Sequence, residues 1–345
     1  MENIDIARPK CGCNKHSQYY KKYQSRDATR ARREVIMSCI KFREVRLSKT
    51  NRQRLEIINA IIKEYQSDGY KLTLRQLYYQ LVSRDIIPNR QSEYSKLSTL
   101  LKEGRMGGIV DWDAIEDRLR QSSVPSSWDS PKDIMESAIG SYALPRMEGQ
   151  TTYIEVLVEK DALSGVLKKV TEEYHIPILV NRGYSSVSAM FDAYKRFERG
   201  IYKIYDMGKE SEAKVIILYL GDFDPSGLDM IRDIEARIRE FAEIDFANFP
   251  LEIISIALTA EQIKKYNPPP NPAKMSDPRA KEFMRLYGGM SWEVDALPPN
   301  VLNKLLDKEI RKHIDIDLYE EIVNREGEDK EKLRSLIKYL NPKKE

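Results

Sequence analysis

Residues 153–163, YIEVLVEKDAL, and 214–230, KVIILYLGDFDPSGLDM, decide how the chain is read. Each opens on a short apolar, β-branched run that suits a strand buried on both faces. Each run ends in acid, with Glu159 after the first and Asp222 and Asp224 after the second. Between them lie a helical stretch from Asp161 to Tyr174, a short strand from Pro177 to Val180, a turn at Asn181-Arg182-Gly183 and a second helical stretch from Ser186 to Glu198. That alternation predicts an α/β fold, a Rossmann-like parallel sheet with crossover helices. Functional groups of such sheets gather beyond the carboxyl ends of the strands, so the three carboxylates are expected to converge there. Hard carboxylate oxygens without His or Cys suit Mg²⁺ or Mn²⁺.

Outward from this stretch, Leu228 to Phe241 reads as an amphipathic helix and residues 250–258, PLEIISIAL, as a fourth strand. A short helix in LTAEQIKKYN is stopped by prolines, and Val301 to Leu340 is helical and charged. Upstream, Leu55, Ile58, Ile61 and Ile62 recur at helical spacing. LTLRQLYYQLVSRDIIPN, residues 72–89, predicts a helix begun near Thr73 and stopped before Pro88, and YSKLSTLLKEGRMGG predicts another ending at its glycines. Helix, turn, helix and then the wing-like IVDWDAIEDRLR suggest a winged-helix DNA-binding unit, in which Arg84, Arg90, Lys96, Lys102 and Arg105 could touch phosphates, as could Lys160 further on. The divisions are a basic arm over 1–50, the winged-helix-like domain over 51–120, a Ser/Pro-rich linker over 121–150, and the α/β domain with its helical extension over 151–345.

The acids, in their order and spacing, resemble the Toprim domain. The longer match, from VEKDAL through RGYSS to GDFDPSG, is most similar to the Toprim of the topoisomerase VI A subunit and the meiotic double-strand-break proteins. Arg75-Gln76-Leu77-Tyr78-Tyr79 resembles the Arg-Asp-x-Tyr-Tyr motif of the same family, with Gln76 where the family has an acid. SWEVDALPPN resembles a late Glu-x-Glu-Ala-Leu segment, with Asp295 at the second acid and Glu293 read as ordering either the metal site or the fold. The resemblance covers about Leu72 to Leu340. It implies Tyr79 as nucleophile, Arg75 as its assistant, Glu159, Asp222 and Asp224 as metal ligands, and a homodimer in which one subunit's tyrosine faces the other's Toprim. The implied activity is a type IIB topoisomerase-like transesterification through a tyrosine–DNA phosphodiester. A phenol, with a pKa of about 10, needs a nearby cation or base to act as a nucleophile. Arg75 lies one helical turn before Tyr79 and so on the same face. The residues leave open a Toprim nuclease that uses water and a non-catalytic DNA-binding subunit.

The chain has 345 residues, 32% of them charged, yet its net charge is only +3. The charge is uneven: from Met1 to Arg54 basic residues exceed acidic ones by about ten, with Tyr19, Tyr20 and Tyr23 among lysines. Such an arm suits a polyanion such as DNA, or a solvated helix. No GxxxxGK[ST] motif is present, so ATP-driven strand passage would call for a separate ATPase subunit. No apolar run is long enough to span a bilayer and no signal-peptide layout is visible, so a cytoplasmic or nucleoid-associated location is expected. Three cysteines argue against a disulfide framework, and Cys11, Cys13, His16 and Cys39 lack the paired spacing of a zinc knuckle, leaving zinc an open alternative.

Overall fold

The four apolar runs pair as one parallel sheet. β1 (Thr152–Val158), β2 (Ile178–Val180), β3 (Lys214–Leu220) and β4 (Leu251–Ala257) lie in the order β2-β1-β3-β4. The structure, a computed structural model, describes residues 39–116, 125–181, 186–244, 249–272 and 279–340. The basic arm up to residue 38, Cys11, Cys13, His16, residues 117–124 and the Arg182-Gly183 turn lie outside these.

Central strands β1 and β3 are mostly apolar because both of their faces are covered, and the buried Glu155 of β1 is paired with Arg196. On β3, Ile216, Leu218 and Leu220 face a core shared with Leu163, Leu167 and Tyr174 of α5 (Asp161–Tyr174) and with Leu302, Leu306 and Ile310 of α10 (Pro299–Arg311). Val215, Ile217 and Tyr219 face the opposite way, onto Met190, Tyr194 and Phe197 of α6 (Val187–Tyr205) and Met230, Ile234 and Ile238 of α7 (Pro225–Ile244). The strand period of two thus sorts one run into two cores and makes a three-layer α/β/α arrangement. The crossover helices leave the carboxyl ends of β1 and β3 close together: Glu159 N donates to Leu220 O at 2.9 Å.

Three helices precede the sheet: α1 (Lys49–Ser67), α2 (Leu74–Ser83) and α3 (Gln91–Met106). They bury Leu55, Ile58, Ile62, Leu77, Leu81 and Leu101 in a core of their own. Helix α2 starts where the sequence predicts, with Thr73 as N-cap, but it stops at Ser83, short of Pro88. Asp85 there takes a left-handed φ of 56° and Ile86 N donates back to Leu81 O at 3.0 Å, closing the helix end without the proline. After α3 the described chain makes a 3-10 turn at Trp112–Ala114 and a one-residue bridge, Leu72 to Ile115. The expected linker carries a helix, α4 (Pro131–Ser141), and is then tied to the far end of the chain: Leu144 N and Arg146 Nη2 donate to Glu326 at 3.0 and 2.9 Å. Glu326 belongs to α11 (Ile316–Leu340), so the C-terminal helical stretch is two helices rather than one. The remaining helices are α8 (Ala260–Tyr266) and α9 (Ala280–Tyr287), and between them a two-residue strand β5 (Asn271–Pro272) pairs antiparallel with β6 (Met290–Ser291). No described helix is long and apolar enough to cross a membrane.

Candidate active site

A cleft of about 420 Å³ lies between the helical unit and the carboxyl edge of the sheet. Arg75, Tyr78, Tyr79, Asn89, Arg90 and Tyr94 line it from the helices; Asp222, Asp224, Asn271, Trp292 and Glu293 line it from the other side. The residues singled out at opposite ends of the sequence therefore meet within one chain.

Local structure explains how each acid is presented. Glu159 directly follows β1, and its Oε2 accepts from Asp222 N at 3.1 Å, joining the ends of β1 and β3. Asp222 Oδ1 accepts from Val294 N at 2.9 Å and its Oδ2 lies 2.8 Å from Lys160 Nζ. Asp224 caps α7, its Oδ1 accepting from Gly227 N at 2.7 Å. Glycine is needed at 227, because a Cβ there would lie 2.1 Å from the Asp222 carbonyl oxygen. Burial raises Glu159, an effect only partly offset by the Asp222 N–H. Asp222 is pushed up to about 7, by burial first and then by Glu159, against the opposing pull of Lys160.

Beside these acids a second group joins the two halves of the cleft. Glu293 Oε2 accepts from Arg75 Nη2 and, at 2.8 Å, from Lys160 Nζ. Asp295, fully buried, has Arg75 Nε at 3.1 Å and Lys160 Nζ at 3.6 Å. Burial alone would raise Glu293, but Lys160 and Arg75 outweigh it and hold the carboxyl at about 2. Burial works in the other direction on Lys160, whose pKa is nevertheless raised by Asp295, Asp222 and Glu293. Asp222, Glu293 and Asp295 thus pair with two cations, and with Glu159 and Asp224 beside them the acids outnumber the cations.

Tyr78 and Tyr79 divide the roles open to them. Tyr78 stacks edge-on against Tyr94 and donates from its hydroxyl to Asn89 Oδ1 at 2.9 Å. Tyr79 turns its hydroxyl to the cleft, where Asn271 Nδ2 lies 3.5 Å away, and the Arg75 guanidinium sits 5.9 Å from its ring centre. Burial, followed by the charge of Glu293, pushes the Tyr79 phenol up to about 12. Gln76 is turned away from the site. Its Oε1 accepts from Thr73 N at 2.8 Å while its own N–H donates to Thr73 Oγ1 at 3.2 Å, a capping box that Gln and Glu complete equally well.

The expected phosphate-contacting cations separate into groups. Arg84 pairs with Glu64 at 2.9 Å and Lys96 with Glu93 at 2.7 Å. Lys160 lies among the acids. Lys102 and Arg105 line a second cleft of about 640 Å³ with Trp112, and it meets the first at Arg75 and Tyr94. Cys39 is exposed, and the three residues weighed with it for zinc lie outside the described chain. Sequence reasoning missed Asn89 and Asn271; the only signal was an Asn set between prolines in PPPNP, which reads as a rigid crossing.

The all-oxygen donor set of Glu159, Asp222 and Asp224 fits a hard divalent cation, and so does the excess of acids over cations. As they stand, no three His, Cys, Asp or Glu side chains among the described residues come together closely enough to hold an ion. The Lys160 ammonium is paired with Asp222 Oδ2.

Set against protein-family models, curated proteins and solved structures, the chain matches none.

Proposed function

We propose that this chain is a DNA-cleaving transesterase of the type IIB topoisomerase kind, with Tyr79 as nucleophile on a winged-helix-like unit and Glu159, Asp222 and Asp224 as the acids of a Toprim-like domain. One observation carries the reading: Tyr79 and Arg75 share a single cleft with Asp222 and Asp224, although they lie more than a hundred residues apart in sequence. Tyr79 Oη attacks a backbone phosphorus and the P–O3′ bond breaks, leaving a 5′-phosphotyrosyl link and a free 3′-hydroxyl. The phenol proton leaves to solvent, and O3′ takes one from solvent. Arg75 steadies the charge near the tyrosine, while Lys102 and Arg105 on the adjoining cleft suit the flanking phosphates. Bound Mg²⁺ or Mn²⁺ would polarise the phosphodiester and offset charge at the leaving oxygen. The tyrosine shares its cleft with acids of its own chain, so a homodimer is proposed here for cutting two strands rather than for completing one site. An ATPase partner is proposed only for strand passage.

A specific observation favours a second reading, hydrolysis by a metal-dependent nuclease: burial and the Glu293 charge make the Tyr79 phenol harder to ionise than a free one, the reverse of an activated nucleophile. Denaturant trapping on end-labelled supercoiled and linear DNA with Mg²⁺ or Mn²⁺ separates the two. A covalent adduct that is lost in Tyr79→Phe and in Asp222→Ala is the expected result. Cleavage without adduct, kept by Tyr79→Phe and lost in Asp222→Ala, would replace transesterification with hydrolysis.

A further inference from the structure

We propose that Asn271 is a catalytic residue of the tyrosine site, donating its amide N–H to the Tyr79 phenolate oxygen, with Asn89 as the positioning residue that sets its orientation. The inference rests on Tyr79 being the nucleophile and names the group that makes it one.

The argument begins with rigidity. Asn271 sits between Pro270 and Pro272, which fix their own φ angles. Its strand is pinned to β6 in the register Asn271 to Ser291, and Ser291 Oγ donates to Asn271 O at 3.3 Å. The side chain thus projects from a braced segment toward a helix of the other unit.

The hydrogen-bond chain then decides which end of the amide faces the tyrosine. Pro270 O can only accept, so Asn89 turns Nδ2 to it at 3.0 Å and to Asn271 Oδ1 at 2.7 Å, leaving Asn89 Oδ1 to accept from Tyr78 Oη at 2.9 Å. With Asn271 Oδ1 so occupied, Asn271 Nδ2 is the end directed at Tyr79 Oη, at 3.5 Å, and at Glu293 Oε1, at 3.4 Å. Rotating the amide by half a turn would set N–H₂ against N–H₂ at Asn89 and a carbonyl oxygen against the Glu293 carboxylate, so the network admits one orientation.

The contact with Tyr79 Oη is long for a neutral phenol. A donor aimed at an oxygen that becomes anionic binds the anion more strongly and more closely than the neutral group. Arg75, the cation near the ring, is already held by Glu293 and Asp295. Asn271 therefore supplies a neutral donor that needs no release from an ion pair. In the forward step it stabilises the phenolate that forms the O–P bond as P–O3′ breaks; in religation it stabilises the phenolate leaving as O3′ attacks.

The test follows adduct formation by the full chain on labelled DNA with Mg²⁺. The variants are Asn271→Ala and the near-isosteric Asn271→Asp, each also made with 3-fluorotyrosine, a more acidic phenol, at position 79. Loss of one donor is expected to slow adduct formation by about 100-fold or more. Asn271→Asp, which sets a carboxylate beside Glu293, should be at least as slow as Asn271→Ala. Fluorotyrosine should recover most of the loss in Asn271→Ala while changing the wild type much less, which a merely structural role would not produce. Adduct formation by Asn271→Ala at the wild-type rate would overturn the inference for Asn271 alone, as would a loss that fluorotyrosine leaves untouched. No adduct from the wild type would overturn the tyrosine reading and this inference with it.

Discussion

Glu293→Gln tests the junction between the helical unit and the sheet, because Glu293 binds a cation from each side: Arg75 from α2 and Lys160 from the end of β1. Its carboxyl is held at about 2 where the ordinary value is 4.5. In linkage terms that difference corresponds to about 3 kcal/mol of folding stability at neutral pH, or about 2 kcal/mol after allowance for solvent screening of a side chain that is 22% exposed. The direction follows from the depressed value. The contribution is complete above 4.5 and is lost as pH falls toward 2. Glutamine keeps the shape and accepts a hydrogen bond, but it carries no charge, so the variant should be less stable by about 2–3 kcal/mol at pH 7 and by less than half of that at pH 3. Urea unfolding at both pH values, read by tryptophan fluorescence, measures it, since Trp292 adjoins the substituted residue. A deficit below about 0.5 kcal/mol at pH 7, or one that does not shrink with acid, would show that Arg75 and Lys160 do not hold Glu293 as argued.

Asp222 carries the opposite linkage. Its carboxyl is raised to about 7, so the wild type should lose stability as pH rises through 7, and metal-free Asp222→Asn should gain on it by about 2–3 kcal/mol between pH 5 and pH 8. Adding Mg²⁺ at pH 8 should raise the melting temperature of the wild type and leave that of the variant unmoved; equal melting curves throughout would contradict a strained carboxylate. Gly227→Ala forces a Cβ to 2.1 Å from the Asp222 carbonyl oxygen, a clash with backbone, so a loss of about 3 kcal/mol or more is expected in thermal unfolding, and an unchanged melting temperature would refute so tight a turn.

The sheet was legible from the sequence because its signals are local. Continuous β-branched runs, acids at their ends and amphipathic intervals specify the strands and crossovers, and α5 begins and ends where it was expected, although α6 runs on to Tyr205, past the expected end at Glu198. The caps were legible for the same reason, as at Thr73. The end of α2 was not, because a left-handed Asp85 carries a weaker signal than the proline three residues on. Charges show the same division. The pairing of Lys96 with Glu93 follows from a spacing of three on a helix, whereas Arg84 meets Glu64 on another helix, and Lys160, expected at phosphates, meets acids that lie far along the chain.

The cleft itself is built from contacts of this long-range kind: Arg75 with Glu293 across 218 residues, Asn271 with Tyr79 across 192 and Asn89 with Asn271 across 182. No periodicity records them. This changes what the tyrosine pair means. Tyrosines at helical spacing suggest core packing, and both are almost wholly buried. Yet the cover over the Tyr79 hydroxyl comes from Asn271 and Glu293 of the other side, while Tyr78 is held by Asn89 and Tyr94 of its own. Core and cleft are therefore not rival descriptions of one motif: both rings pack in the helical core, and the Tyr79 hydroxyl alone is covered by the junction. Parting that junction would expose its hydroxyl without unfolding the helix that carries it.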